Sequence, residues 1–309
     1  MENEFVSWLR QRVPPHPSVP LGIGDDAALV RVARGECVVT VDLLSDGVDF
    51  ELDKVDPRRV GRKALAVNLS DIAAMAARPV AAFPAVVLPR KGGYSLARDL
   101  FEGMLELAET FGVALAGGDT NSWEGPTAVS VTVLGFATAD GILRRDGAEP
   151  GDRILVTGAF GGSILGKHFD FVPRIEEALF LNNRYGLKAG IDVSDGLSLD
   201  LARLAEASGC GARVSLSRVP VSGDAVRLAA ELGDGVSSLE HALRDGEDFE
   251  LLFAAAPGEA ERICREQPLG VPISDIGEFL AEPGLYQTDS KGETSPLEPK
   301  GWEHELEDR

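Results

Sequence analysis

The stretch from Asp56 to Pro79 constrains the fold more than any other part of this chain. Asp56-Pro57 is a good helix start, with Asp as the N-cap and Pro in the first turn. The helical pattern continues to Arg78, where Pro79 stops it. Its second half, KALAVNLSDIAAMAA (63 to 77), is largely apolar on every side. A helix without a polar face must be covered all round. The chain must therefore supply covering layers, and its 309 residues suffice for two domains or one large one. Within this helix Asn68 and Asp71 stand three apart, on one face.

Strand and helix patterns alternate around it. Val38 to Leu43 reads as a buried strand ending in the polar run Asp42, Ser45, Asp46 and Asp49. A strand from Val80 to Leu88, a helix from Ser95 to Phe111, and strands around GVALAGGDTN and PTAVSVTVLGFA complete the first half. Residues 139 to 152 are rich in Gly, Asp and Arg and contain Pro150-Gly151, which makes them the best candidate linker. The second half resumes with the strand RILVTG. GIDVSDGLSLDLARLAEA then reads as strand, acidic turn and helix, and EDFELLFAAA and VPISDIGEF add further strands. The pattern predicts an α/β or α+β chain in two domains, 1–138 and 139–309.

Charge narrows the partners. Fifty acidic against thirty basic side chains give a formal charge of −20, which argues against nucleic acid, whose phosphates need a cationic surface. An anionic ligand would need a divalent cation to bridge it to protein carboxylates. The N-terminus, MENEFVSWLR, carries acids where a secretory signal carries bases, and no stretch is apolar enough for a membrane span; the expectation is a cytoplasmic protein. Cys37, Cys210 and Cys264 lie far apart and suggest neither a disulfide framework nor a zinc knuckle. The four histidines show no metal-ligand spacing.

One arrangement recurs: an apolar strand or helix delivers aspartates beside glycine or a small residue, at Asp25-Asp26, Asp42, Asp71, Asp119 and Asp192-Asp195. Singly, each reads as a cap or turn. Together they suggest a shared site, because clustered carboxylates repel unless protonated or metal-bound. Oxygen ligands suit magnesium on a polyphosphate, and Gly22, Gly24, Gly117 and Gly118 would let backbone amides approach phosphate oxygens. GGSILGK (161 to 167) follows a strand and matches most of a P-loop, but His168 replaces the hydroxyl residue that normally helps hold magnesium. It reads as a glycine-rich turn with a solvent-facing Lys167. Ser194 lacks a neighbouring histidine in sequence, so a hydrolase triad is disfavoured.

GIGDDAA (22 to 28), the strand with Asp42, KALAVNLSDIAAMAA, GGDT (117 to 120), IDVSDGL (191 to 197) and GEDFELLF (246 to 253), in that order, resemble the thiamine-monophosphate kinase family. NLSDIAAM and GGDT occur more loosely across the wider aminoimidazole-ribonucleotide synthetase superfamily. The resemblance implies ATP- and magnesium-dependent phosphorylation of thiamine monophosphate to thiamine diphosphate, without a phosphoenzyme or a catalytic side chain. It implies a two-domain fold and a homodimer whose N-terminal domains pair into a shared β-barrel. By motif, Asp26, Asp42, Asp71, Asp119, Asp192 and Asp195 match metal-binding positions, with Asp25 as a possible helper. Thr40 and Val41, the latter through its backbone, match further metal positions. Gly118, Asp119, Arg145 and Ser194 match ATP contacts, and Glu247 and Trp302 match substrate contacts.

Two departures fall on the substrate side. Asp49 before Phe50 stands where the family commonly has a substrate-contacting histidine. HFDFVPRI (168 to 175) is shortened and lacks the Arg-Pro pair of the usual H-x-R-P-x-P-R stretch. Two alternatives stay open: a superfamily relative that uses ATP on another substrate, and a non-catalytic acidic protein that binds metal or nucleotide.

Overall fold

The computed structural model describes residues 8–9, 11–19, 31, 37–233 and 235–303. These form two compact units. The first holds the described residues through Ile72 together with Ala77–Gly141; the second holds Ala73–Ala76 and the described residues from Ile142 onward.

The first unit is built on strands β1 (Cys37–Ser45), β2 (Arg78–Pro89), β3 (Ala114–Leu115), β4 (Asp119–Trp123) and β5 (Ala128–Phe136). β1 pairs antiparallel with β5 and β5 antiparallel with β2, while β3 and β4 both run parallel to the far side of β2. Helices α1 (Pro57–Ala74) and α2 (Gly93–Phe111) complete the unit. Leu65, Leu69 and Ile72 of α1 have no solvent exposure, as its sequence requires. Added Cβ atoms at Gly61 and Gly103 would lie 1.8 Å from Leu100 O and 1.9 Å from Arg58 O, so α1 and α2 cross at backbone contact. Ile72 packs on Gly135 of β5, placing α1 on the sheet face that also carries Val129, Val131 and Val133.

Helix α1 ends four residues earlier than Arg78. Ala76 turns left-handed (φ 48°), its N–H and that of Ala77 close on Ala73 O and Ile72 O, and β2 starts at once. Pro79 thus belongs to the strand, since a residue before proline is driven to extended geometry. The five-stranded sheet stays open, with β1 on one edge and β3 and β4 on the other. Among the described residues there is therefore no closed barrel. β1 is not the buried strand expected over Val38 to Leu43: successive side chains point to opposite faces, so Val38 and Leu44 are buried while Val39, Val41 and Leu43 turn outward, each about 60% exposed.

The second unit carries strands β6 (Arg153–Thr157), β7 (Ala189–Val193), β8 (Gly211–Ser215), β9 (Glu250–Ala255), β10 (Ile273–Leu280), β11 (Gly284–Thr288) and β12 (Thr294–Pro296). They lie in the order β12-β11-β8-β10-β6-β9-β7, all neighbours antiparallel except β8 and β11. Helices α3 (Lys167–Asp170), α4 (Ile175–Tyr185), α5 (Leu197–Ala207), α6 (Gly223–Leu232), α7 (Ser238–Arg244) and α8 (Pro257–Glu266) accompany the sheet. Its core joins Ile154, Val156, Ile191, Leu201, Leu252 and Phe279. The strand, acidic turn and helix expected at 190 to 207 are present as β7, the turn 194 to 196 and α5.

Candidate active site

In the first unit, β1 and α1 bring Thr40, Asp42, Asp49 and Asp71 together. The Thr40 hydroxyl donates to the Asp71 carboxylate. Burial, then the charge of Asp71 and a hydrogen bond with its side chain, then the charge of Asp49, push the Asp42 carboxyl up to about 7. Asp42 Oδ2 is buried without a hydrogen-bond partner, although a buried carboxylate oxygen normally has one. Ser130 Oγ donates to the Asp42 carbonyl at 3.0 Å and so ties β1 to β5 at this point. An all-oxygen set with an orphaned acceptor and mutually repelling carboxylates suits a hard divalent cation such as magnesium. No three described His, Cys, Asp or Glu side chains converge closely enough to enclose an ion by themselves. Magnesium commonly keeps waters and substrate phosphates among its ligands, so two carboxylates still fit it. Gly22, Gly24, Asp25 and Asp26 lie outside the described residues.

Asp49 is already engaged. Its Oδ2 accepts the Ser45 N–H at 2.7 Å, and its carbonyl accepts from Lys63 Nζ at 2.9 Å. Lys63 is fully buried in α1, so its ammonium fixes the 46–50 loop against the helix. Its only signal in the sequence is a lysine opening an all-apolar helical run.

Gly118 and Asp119 owe their position to Pro84. That proline sits inside β2 and has no N–H for a ladder bond. β3 pairs with Ala81 and Ala82, β4 resumes opposite Ala85, and residues 116–118, with both glycines of GGDT, occupy the gap. A Cβ at Gly118 (φ 157°) would meet Pro84 O at 2.1 Å, so only glycine fits there. Asp119 starts β4 and is exposed, and β5 and β2 lie between β4 and β1, the strand of Asp42. Val41 faces outward, leaving its backbone as its only polar means of contact.

In the second unit, Ser194, Asp195, Glu247 and Trp302 meet at one turn. Ser194 O accepts the Glu247 N–H at 2.6 Å, and Asp195 O accepts the Trp302 N–H at 2.8 Å. Ser198 Oγ and the backbone of Lys300 exchange bonds of 2.9 and 3.0 Å, clasping the KGW tail to the start of α5. Trp302 presents its ring to solvent, 56% exposed. Asp192 is buried in β7, opposite Leu251 of β9. The Asp195 carboxylate pairs with Arg203, which also donates to Asp200 at 2.8 Å. Asp200 in turn accepts the Asp195 N–H at 2.9 Å, and burial raises its pKa. Sequence reasoning missed Arg203, three residues after Asp200 on the same helical face. Arg145 is exposed, with its carbonyl held by Ser208 Oγ at 2.7 Å.

Lys167 is not solvent-facing. It is only 26% exposed, and its ammonium lies 3.5 Å from Asp248 Oδ1, 3.2 Å from Glu250 Oε1 and 3.2 Å from Ala159 O. The P-loop-like turn also has no amides to spare at its start: Gly161 N donates to Asp248 at 2.8 Å and Gly162 N to Asp245 at 2.9 Å. The turn binds the protein's own carboxylates in the place of a phosphate. A cavity of about 330 Å³, lined in part by Arg153, Arg213 and Arg218, lies at β8 and β10, away from β7, and Asp275 and Glu278 already pair with these arginines.

Residues 24–137 match the model of the AIR synthase related protein N-terminal domain, and residues 133–289 match the C-terminal domain of the same family. The thiamine-monophosphate kinase of Rhodopirellula baltica is 41% identical over 98% of this chain and 97% of its own. That of Bacillus subtilis is 33% identical over 98% and 99%. The crystal structure of the Stenotrophomonas maltophilia thiamine-monophosphate kinase superposes with a TM-score of 0.78 at 31% identity, covering 95% and 96% of the two chains. AaThiL complexed with AMPPCP and TMP gives 0.77 at 26% identity, covering 98% and 95%. The hydrogenase maturation protein HypE of E. coli reaches 0.81 at 20% identity, which shows a shared fold and no more. With near-complete coverage, identities above 30% and the motifs in the same order, this chain belongs to the thiamine-monophosphate kinase family.

Proposed function

We propose that the chain carries out its family's reaction, ATP-dependent phosphorylation of thiamine monophosphate to thiamine diphosphate, with magnesium held by its aspartates. The 41% identity over 98% of the chain to a thiamine-monophosphate kinase carries this reading. The substrate phosphate oxygen attacks the γ-phosphorus, the bond to the bridging oxygen breaks, and ADP leaves, so no protein nucleophile is required. Asp42 and Asp71 with Thr40 and the Val41 backbone, and Asp25, Asp26, Asp119, Asp192 and Asp195, are the residues assigned to metal. Magnesium, when bound, supplies charge neutralisation for the meeting of two anions.

The remaining assignments follow from chemistry at each position. Gly118 offers a backbone unobstructed by a side chain, and Arg145 offers a charge-assisted contact to phosphate. Ser194 offers a hydroxyl at the turn that also seats Glu247 and Trp302. The Trp302 ring suits stacking on a flat heteroaromatic ring, and Glu247 complements the cationic thiamine head. Asp49 takes the place of a neutral or cationic histidine on the substrate side. On this reading residues 1–138 are the nucleotide, metal and dimerisation domain, and 139–309 are the C-terminal α/β domain.

The test is incubation with ATP, magnesium and thiamine monophosphate, following thiamine diphosphate and ADP together by chromatography, with free thiamine and a metal-free sample as controls. Thiamine diphosphate formed only with magnesium is the expected result. ADP formed without thiamine diphosphate would refute the substrate assignment and direct attention to Asp49 and residues 168 to 175.

The outward-facing Val39, Val41 and Leu43 on an edge strand belong against a second copy of the chain, since an open apolar strand face invites pairing. A homodimer is expected. Val39→Glu with Leu43→Glu should halve the mass measured by light scattering, and an unchanged mass would refute this interface.

A further inference from the structure

The geometry points to His168 as a positioning residue that aims the Glu247 carboxylate at the substrate. This rests on the reading of Glu247 as a substrate contact. Glu247 and Phe249 both adopt left-handed backbone, with φ of 63° and 50°, a conformation that side-chain-bearing residues rarely adopt unless their surroundings impose it. Here the surroundings do. The Glu247 N–H is bound to Ser194 O at 2.6 Å and the Phe249 N–H to Val193 O at 2.8 Å, which fixes the segment to the end of β7. Ser163 Oγ donates to Gly246 O at 2.6 Å, Gly161 N donates to Asp248 Oδ2, and the Phe171 ring stacks on Phe249 with centroids 4.0 Å apart.

These contacts fix the backbone but leave the Glu247 side chain to be oriented. His168 does that: its Nδ1 lies 2.9 Å from Glu247 Oε2. A carboxylate only accepts, so this ring nitrogen carries the proton. His168 is itself 6% exposed and its ring packs on Phe169, so the imidazole is held rigidly, as the support of a recognition group must be. Glu247, about a third exposed at its side chain, keeps an outward reach. The same logic explains what residues 168 to 174 retain. The two ends of the stretch, His168 and Arg174, pair with Glu247 and Glu250 of GEDFE, and Phe171 at the altered middle fills space against Phe249. The stretch that looks like a damaged substrate motif is the clamp for a substrate loop.

Steady-state kinetics of the full chain test this, with His168→Phe, His168→Asn and Glu247→Ala. Phe keeps the ring volume and loses the donor; Asn places a donor where Nδ1 was. His168→Phe should raise KM for thiamine monophosphate by about tenfold or more, with kcat and the KM for ATP within about threefold of wild type. His168→Asn should restore most of the loss. His168→Phe combined with Glu247→Ala should be no worse than Glu247→Ala alone. A normal KM in His168→Phe beside a raised one in Glu247→Ala would overturn the role of His168 and leave that of Glu247 standing. A normal KM in Glu247→Ala would remove the Glu247 reading and this inference with it. Equal loss of kcat and of both KM values, unrescued by Asn, would show that His168 only supports the fold.

Discussion

Asp42→Asn is expected to lower turnover by about a hundredfold or more, since metal-borne charge stabilisation is worth several kcal/mol of barrier, while making the metal-free protein more stable. The two effects have one origin. Asp42 has a buried, unpartnered Oδ2, and burial with the charges of Asp71 and Asp49 lifts its carboxyl to about 7. A carboxyl raised in the folded state contributes stability that is fully present below its unfolded pKa of about 3.9 and is lost as pH rises through about 7. Above that window the folded chain must hold a carboxylate against its neighbours. Asn cannot ionise, and its amide can donate to the Asp71 carboxylate. In EDTA at pH 8 the variant should therefore exceed wild type by roughly 1–3 kcal/mol in urea unfolding, with the difference closing towards pH 4. Magnesium, binding only the folded state, should raise the wild-type midpoint and leave that of the variant nearly unmoved. A variant less stable than wild type in EDTA at pH 8 would mean that Asp42 is a structural carboxylate.

How much of this was legible in the sequence differs by residue. The all-apolar helix, the strand bearing Asp42 and the strand, acidic turn and helix at 190 to 207 follow from periodicity and turn chemistry, and they are present. What local pattern could not show is partnership across the chain. Lys167 looked solvent-facing because a lysine after a glycine turn usually is; its carboxylate partners lie some 80 residues downstream, in GEDFE. Arg174 and His168 were visible only as remnants of a motif. Their meaning comes from Glu250 and Glu247, which no spacing rule connects to them. The helix end at Ala74 was missed because Ala76 takes a left-handed turn that alanine seldom adopts. The open sheet could not be distinguished from a closed barrel either, because inward and outward alternation is the same in both.

Arg174→Met should destabilise the protein by about 3 kcal/mol, a penalty typical of leaving one member of a buried ion pair without its partner. Arg174 grips Glu250 with Nε and Nη2 at 2.9 and 2.8 Å, and Glu250 is nearly inaccessible. Thr157 Oγ1 at 2.8 Å and Lys167 at 3.2 Å remain after the substitution, which keeps the loss near the low end. Burial alone would raise the Glu250 pKa, but the Arg174 hydrogen bonds and the Lys167 charge overcome it and hold it below the usual range. A lowered carboxylate contributes stability present above its unfolded pKa of about 4.3 and lost as pH falls. In the variant burial prevails, so Glu250 becomes a liability when ionised. The gap between the two proteins should therefore be widest at pH 7, with a melting point lowered by roughly 6–12 °C, and should shrink as pH falls to 4 and Glu250 takes up its proton. Adding Glu250→Gln should recover part of the loss at pH 7, because the uncompensated charge is gone. A gap independent of pH would assign the penalty to the packing of the arginine stem instead of its charge.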